Sequence, residues 1–115
     1  MITRTHQTPI MHRFVEHNGT IYFGGVIADD VSEGMGGQTA QICRKLDALL
    51  AAAGSDRTKL LSATLYVTDM SKKTEMNEAW TAWIAASDLP ARATLGVAEL
   101  GKNVLIEVVV TAART

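Results

Sequence analysis

The chain has 115 residues, of which 47% are hydrophobic and 20% charged, and its formal net charge is −1. This length suits one hydrophobic core, so we predict a single domain over residues 1–115. The slightly acidic balance argues against a nucleic-acid partner, and no apolar run reaches the roughly 18 residues that span a bilayer. Without a signal-peptide core, and with one cysteine, a cytoplasmic protein without membrane association is expected.

The N-terminal part of the chain predicts a short strand after a turn. Residues 1–16 are expected to be irregular to extended, with Pro9 interrupting them. Asn18-Gly19 is a strong hairpin turn, and a strand from Ile21 to Phe23 runs into Gly24-Gly25. Paired glycines at a strand end indicate either a β-bulge or a binding-site wall with exposed N–H groups, and the pattern favours neither.

A loop and a helix follow. Residues 29–37 lack the spacing of a phosphate-binding loop and are predicted to be a plain connection. Apolar residues then recur at helical spacing from Gly37 to Ala53, and Gly54 fits the left-handed position beyond a helix end. Cys43 lies in the middle of this helix, where a packed, unreactive thiol is expected.

The next segment predicts a strand and a second helix. Residues from Leu60 to Met70 alternate between an apolar and a mildly polar face, as a strand does. Asp69 and Ser71 are candidate caps for the helix after it. That helix carries an apolar stripe that matches a buried face, formed by Met76, Trp80, Trp83 and Ile84.

Two apolar runs near the C-terminus, residues 89–97 and 103–110, predict a β-hairpin turning at Leu100–Asn103. Each run contains one charge, Arg92 or Glu107, and buried charges are costly unless they are paired or used. If Glu99 pairs with Val104, the two charges share one face about 13 Å apart along the strands. A slip of one residue would place them on opposite faces.

The three histidines, His6, His12 and His17, are not spaced as metal ligands, so no metal site is predicted. The elements together predict an α+β fold with a mixed sheet and both helices on one face. The other face is mildly polar to apolar, and oligomerisation is the simplest way to cover it.

The segments Leu89–Thr94, Val97–Lys102 and Leu105–Val108 resemble the C-terminal signature of the Rid family, the reactive enamine/imine deaminases. The resemblance covers nearly the whole chain in length and element order. It implies a chorismate-mutase-like sandwich that assembles into a homotrimer, with ligand sites in the clefts between neighbouring protomers.

The resemblance also implies a chemistry, hydrolysis of 2-imino or enamine acids to 2-oxo acids and ammonia, with no cofactor. Arg92 would hold the substrate carboxylate, because a guanidinium matches a carboxylate with two parallel hydrogen bonds. Glu107 would position water or move protons. Gly25, Asn77 and Thr94 would complete the pocket for this small carboxylated metabolite.

Three positions depart from the well-characterised imine deaminases of the family. Thr94 stands where they have cysteine, Gly24 where they have serine, and Met11 where they have tyrosine. Polar groups are thereby lost while the arginine is kept. An alternative function therefore stays open, a non-catalytic trimeric module that binds a small carboxylate. A nucleic-acid-directed role is a third possibility, which the acidic balance disfavours.

Overall fold

The structure is a computed structural model that describes residues 1–115. It contains six strands and two α-helices that form the predicted α+β arrangement. In chain order the elements are β1 (Ile2–Gln7), β2 (His12–His17), β3 (Thr20–Phe23), α1 (Met35–Ala52), β4 (Leu60–Val67), α2 (Lys73–Trp83), β5 (Ala91–Gly96) and β6 (Ile106–Ala113). Neither helix combines the length and apolar character needed to cross a membrane.

One mixed sheet contains every strand, in the order β1-β2-β3-β6-β4-β5. All neighbouring pairs are antiparallel except β4 and β5. These two run parallel because α2 carries the chain back to the same end of the sheet between them. The sheet therefore has two edges, β1 at one side and β5 at the other.

The predicted C-terminal hairpin is wrong. Both of its strands exist, but β4 lies between β5 and β6 and pairs with each of them. Glu107 is consequently opposite Tyr66 of β4 rather than Gly96 of β5. The reason is burial: alternate residues of β4 are fully buried, which suits a central strand, whereas β5 is mostly exposed and suits an edge. The segment 97–105 passes over the end of β4.

The expected shared face of Arg92 and Glu107 is wrong for the same reason. Arg92 is opposite Ala63, which is opposite Val110, and the latter two are buried in the core. Glu107 is opposite Tyr66, three residues along β4 from Ala63, so its side chain leaves the sheet on the other face. Three residues along and two strands across separate the two Cα atoms by about 14 Å.

The N-terminal segment, predicted to be irregular to extended, forms two paired strands, β1 and β2. A regular strand was not predicted for β1 because almost every one of its residues is exposed. The β1 sequence therefore lacks the alternation of apolar and polar residues that indicates a strand. The Asn18-Gly19 turn between β2 and β3 is confirmed, with φ of 53° and 79°. Both φ angles lie in the left-handed region, as a tight hairpin turn of this type requires.

Both helices pack on one face of the sheet and enclose the core. α1 begins two residues before the predicted start and buries Ile42, Leu46 and Leu50, while α2 buries Met76 and Trp80. These side chains join the buried residues of β3, β4 and β6 in one cluster. Gly54 follows α1 at φ 80°, as predicted, because this left-handed conformation suits glycine.

Asp69 caps a short 3₁₀ turn, Met70–Lys72, that leads into α2 rather than capping α2 itself. Its carboxylate accepts hydrogen bonds from the Ser71 amide at 2.9 Å and the Ser71 hydroxyl at 2.6 Å. These hydrogen bonds from Ser71 hold the pKa of Asp69 below its usual value. The turn fixes where α2 starts and hence which of its residues face β5.

No other part of the chain covers the face of the sheet away from the helices. We call it the open face. On its central strands it carries half-buried polar side chains such as Ser62 and Thr64, together with Glu107. The Ser62 and Thr111 hydroxyls hydrogen-bond to each other across it at 2.6 Å. Tyr22 and Leu95 also belong to this face and are 50% and 45% exposed.

Candidate functional site

The predicted site residues fall into two groups within the chain. The first, which we call the arginine group, consists of Arg92, Thr94 and Asn77. Arg92 and Thr94 lie on the helix-side face of the edge strand β5, opposite Ala63 and Leu65. Asn77 comes from α2, which packs over this face. The group forms because the parallel β4–α2–β5 unit folds its helix back over the strand that follows it.

The Arg92 guanidinium is exposed and takes part in none of the four ion pairs of the chain. It borders a cavity of about 360 Å³ between α2 and β5. The cavity is lined by Asn77, Trp80, Thr81, Leu89, Pro90 and Arg92. A free guanidinium beside a mostly apolar cavity is suited to gripping the anionic end of a small molecule.

Asn77 Oδ1 is the one buried side-chain oxygen or nitrogen of the chain without a hydrogen-bond partner. An acceptor buried without a donor costs about 1–3 kcal/mol, so such atoms mark places where a partner is expected. One turn further along α2, the Thr81 hydroxyl donates to the Asn77 backbone carbonyl at 2.9 Å and leaves the side chain free. Asn77 therefore has an unused, buried acceptor, and the residue lines the same cavity as Arg92.

The second group, which we call the glutamate group, consists of Glu107 and Gly25. Glu107 is half-buried on the central strand β6 and takes part in no ion pair. Its carboxylate rests against the Gly25 backbone: a Cβ on Gly25 would lie 2.8 Å from Glu107 Cδ and closer still to Oε2. Only glycine leaves room for the carboxylate in this position.

Of the two interpretations of the paired glycines, the β-bulge is confirmed, and the Gly24 N–H is not exposed but donates to the Arg13 carbonyl at 2.9 Å. Tyr22 is opposite Thr111 and Val26 is opposite Val108, so β3 and its extension place three residues where β6 places two. This is a β-bulge, closed by hydrogen bonds of 2.9 and 3.0 Å between Val26 and Val108. The same bulge brings the Gly25 Cα against the Glu107 carboxylate.

Positions 24 and 11 lie next to each other, beside the glutamate group. A Cβ on Gly24 would lie 3.1 Å from Met11 Cε and 3.5 Å from Met11 Sδ. The methionine thioether therefore occupies space that a larger side chain at position 24 would need. The wall next to the glutamate group is apolar here.

The structure does not bring the two groups together, because Arg92 and Glu107 leave opposite faces of the sheet. The sequence also missed Thr81 and Leu89, which line the cavity beside Arg92. Thr81 lies one helical turn after Asn77, and this spacing was the available signal. No three His, Cys, Asp or Glu side chains converge as metal ligands would.

Cys43 is the packed thiol that was predicted. It is 2% exposed on the inner side of α1. Burial raises the pKa of its thiol to about 12, and the nearby Asp47 carboxylate adds to the effect. At neutral pH this cysteine is not a nucleophile.

Comparisons with known proteins place the chain in a family. The family model described as endoribonuclease L-PSP matches residues 6–114. A RutC family protein of Haemophilus ducreyi is 36% identical over 113 residues, which cover 98% of this chain and 97% of that protein. The solved structure of NMB1025, a YjgF family member from Neisseria meningitidis, has a TM-score of 0.95 at 33% identity, covering 100% of this chain and 96% of its own.

A second similar solved structure is from the Rid family. YyfA from Yersinia pestis, described as a protein of unknown function of the conserved Rid family, has a TM-score of 0.87 at 26% identity. The match covers 93% of this chain and 90% of the YyfA chain. The family model matches the chain almost end to end, and the fold and the C-terminal motif indicate the same family. The chain therefore belongs to the YjgF/RutC/Rid family.

Proposed function

We propose that this protein hydrolyses reactive 2-imino or enamine acids to 2-oxo acids and ammonia, in a cleft between the protomers of a homotrimer. Arg92 binds the substrate carboxylate and Glu107 positions the attacking water. The observation that carries the proposal is the unpaired Arg92 guanidinium on a cavity that Asn77 also lines, a residue whose buried Oδ1 has no hydrogen-bond donor within the chain. These are a donor fork and an acceptor, the pair that an imino acid requires.

The reaction balances with water as the only co-reactant. Water adds through its oxygen to the C=N carbon, and Glu107 accepts the proton that the water loses. The same carboxyl group returns this proton to nitrogen, which gives a carbinolamine. It then carries the remaining hydroxyl proton to the amino nitrogen, so that the C–N bond breaks and ammonia leaves as the C=O bond forms. Imines hydrolyse readily in water, so orientation and proton transfer are all that the protein supplies.

The geometry of a single chain favours a cleft between protomers. Arg92 and Glu107 lie on opposite faces, with Cα atoms about 14 Å apart, too far to act on one small molecule. The open face also exposes Tyr22 and Leu95, which favours contact with another copy. In a closed ring, the arginine group of one protomer meets the glutamate group of its neighbour, and each cleft then contains one complete site.

A coupled assay tests the activity. A pyridoxal-phosphate-dependent dehydratase generates the imino acid in situ, and the release of 2-oxo acid is followed with and without this protein. We expect faster release with the wild-type protein, and no acceleration with Arg92→Ala. Equal rates for the two proteins would remove the deaminase proposal.

A complementation experiment tests whether the site is shared. Arg92→Ala and Glu107→Gln are each expected to be inactive, but co-expressed with separate tags they form mixed rings. About a quarter of the clefts in randomly mixed rings then combine an intact Arg92 with an intact Glu107 from the neighbour. Recovery of about that share of wild-type activity is expected, and no recovery would mean that the site is not built this way.

A second candidate function is a non-catalytic module that binds a small carboxylate. The apolar Met11–Gly24 contact favours it, because this wall lacks polar groups that could orient a substrate. In that case a 2-oxo acid binds to the wild type and not to Arg92→Ala, while the assay shows no acceleration. The ribonuclease activity in the family description is a weaker candidate, since the net charge is −1. Salt-dependent retention of RNA would be needed to revive it.

A further inference from the structure

A second cavity, of about 320 Å³, lies between the Gly25 segment and the outer side of α1. Its lining combines two cationic side chains with aliphatic ones: Arg13, Gly25, Ile27, Lys45, Ala48 and Leu49. Neither Glu107 nor any member of the arginine group borders it. The proposed deamination makes no use of this cavity.

Arg13 is a half-buried arginine without an acidic partner, since it takes part in none of the four ion pairs. Its one hydrogen bond is long: Nη2 donates to the Gly25 carbonyl at 3.4 Å. A guanidinium has five N–H donors, so most of the donors of Arg13 are unused within the chain. Such a group at a cavity wall can accept an anion at little cost.

Lys45 provides the second cation. Its Nζ lies 2.9 Å from Asp29 Oδ1. The Asp29 side chain is 85% exposed, so the carboxylate that pairs with Lys45 is surrounded mostly by solvent. Exposed ion pairs of this kind contribute at most about 1 kcal/mol, so an incoming anion can share Lys45 with Asp29. An adjoining cavity of about 290 Å³ places Arg44 beside Lys45 and Ala48. The local balance is therefore cationic on a chain whose net charge is −1.

The remaining lining is apolar and partly open. Ile27 is 36% exposed, and Leu49 is half-buried against the core. A ligand that fits both parts has an anionic head and a short hydrocarbon tail. We propose that this cavity is a separate binding site for a small amphipathic carboxylate, with Arg13 and Lys45 holding the head and Ile27, Ala48 and Leu49 covering the tail.

The site reaches the proposed catalytic cleft through one residue. Gly25 meets the Glu107 carboxylate at its Cα side, while its carbonyl is the acceptor of Arg13. When Arg13 turns to a bound carboxylate, the Gly25 carbonyl loses that donor. Ligand binding therefore changes the hydrogen bonding of the Gly25 backbone, against which the Glu107 carboxylate rests. The amide resonance of Gly25 should report this change.

The test uses hexanoate as the probe and 1-hexanol as its uncharged counterpart. Both are titrated into the isotope-labelled full-length protein, and amide resonances are followed by NMR. We expect saturable shifts at Gly25, Ile27 and Lys45 with hexanoate, and binding of 1-hexanol weaker by about tenfold or more, because it lacks the charge-assisted hydrogen bonds. Arg13→Gln and Lys45→Gln are expected to weaken hexanoate by a similar factor, and Lys59→Gln, an exposed lysine elsewhere, to leave it unchanged.

Several outcomes would overturn the proposal. One is equal affinity for hexanoate and 1-hexanol on the wild type, a comparison that needs no variant to fold. Another is unchanged hexanoate affinity in Arg13→Gln, and a third is shifts confined to Asn77 and Thr94, which would assign hexanoate to the arginine group. Arg92→Ala separates this proposal from the deaminase proposal. The variant should abolish the acceleration of imine hydrolysis in the coupled assay, and it should leave the hexanoate shifts at Gly25 intact in the titration.

Discussion

The arginine group and the glutamate group differ in how firmly the fold holds them. Arg92 is on an exposed edge strand, with no ion pair and a cavity beside it. Glu107 is on a central strand, half-buried, with its carboxylate against the Gly25 backbone. A side chain that captures an anion benefits from reach, whereas one that handles a proton must be held in place. The difference suits the two proposed roles.

The largest expected effect tests whether the arginine group is open. Cys43 is buried with a pKa of about 12, whereas an ordinary thiol has a pKa of about 8.5. The thiol of Thr94→Cys, two residues from Arg92, should therefore react with iodoacetamide at pH 8 on the order of a thousandfold faster than Cys43. Mass spectrometry of the variant and the wild type gives both rates. Similar slow labelling of the two thiols would mean that the cleft beside Arg92 is sealed.

The next effect concerns the Arg92 charge. Two charge-assisted hydrogen bonds to a carboxylate are worth about 3 kcal/mol, so Arg92→Ala should lower kcat/KM at least about a hundredfold, which leaves no acceleration that the coupled assay detects above the uncatalysed hydrolysis. Because the side chain is exposed and unpaired, the free energy of unfolding should change by less than about 0.5 kcal/mol. Urea unfolding and the coupled assay measure the two quantities, with Lys59→Ala as the matched surface control. A large loss of stability in Arg92→Ala would make the arginine a structural residue instead.

A smaller effect is expected from crowding the glutamate group. Gly25→Ala puts a methyl group where the Glu107 carboxylate lies, so the carboxylate must move, and we expect kcat to fall about tenfold. Gly96→Ala is the matched control, since its new Cβ would lie 3.5 Å from Met70 Cγ, an ordinary contact. Steady-state kinetics on both variants make the comparison. Full activity in Gly25→Ala would show that catalysis does not require the observed position of Glu107.

The smallest effect concerns the apolar wall. Gly24→Ser brings a side chain to within 3.1 Å of Met11 Cε, but this is the mobile end of a flexible side chain, so the stability cost should stay below about 1 kcal/mol. Combined with Met11→Tyr, it adds hydroxyl groups near Glu107. One new hydrogen bond from these hydroxyls to the substrate is worth about 1 kcal/mol, which gives about a fivefold gain on a small imino acid such as 2-iminopropanoate. Unchanged or lower kcat/KM in the double variant would exclude this wall from substrate selection.

The sequence by itself determined the features that depend on neighbouring residues. The Asn18-Gly19 turn, the apolar stripe of α1 and the left-handed Gly54 follow from local backbone preferences and helical periodicity. The buried Cys43 followed from its place on that helix. The C-terminal motif was enough to identify the family, because it combines several residue types at fixed spacing.

Only the tertiary structure decided which strands are neighbours. Residues 91–96 and 106–113 both form strands, as predicted, yet β4 lies between them because its alternate residues need burial on the helix side. Strand pairing is a competition between distant segments, and a shift of one residue turns every side chain to the other face. That competition separates Arg92 from Glu107 within the chain, and no local pattern in either strand records its outcome.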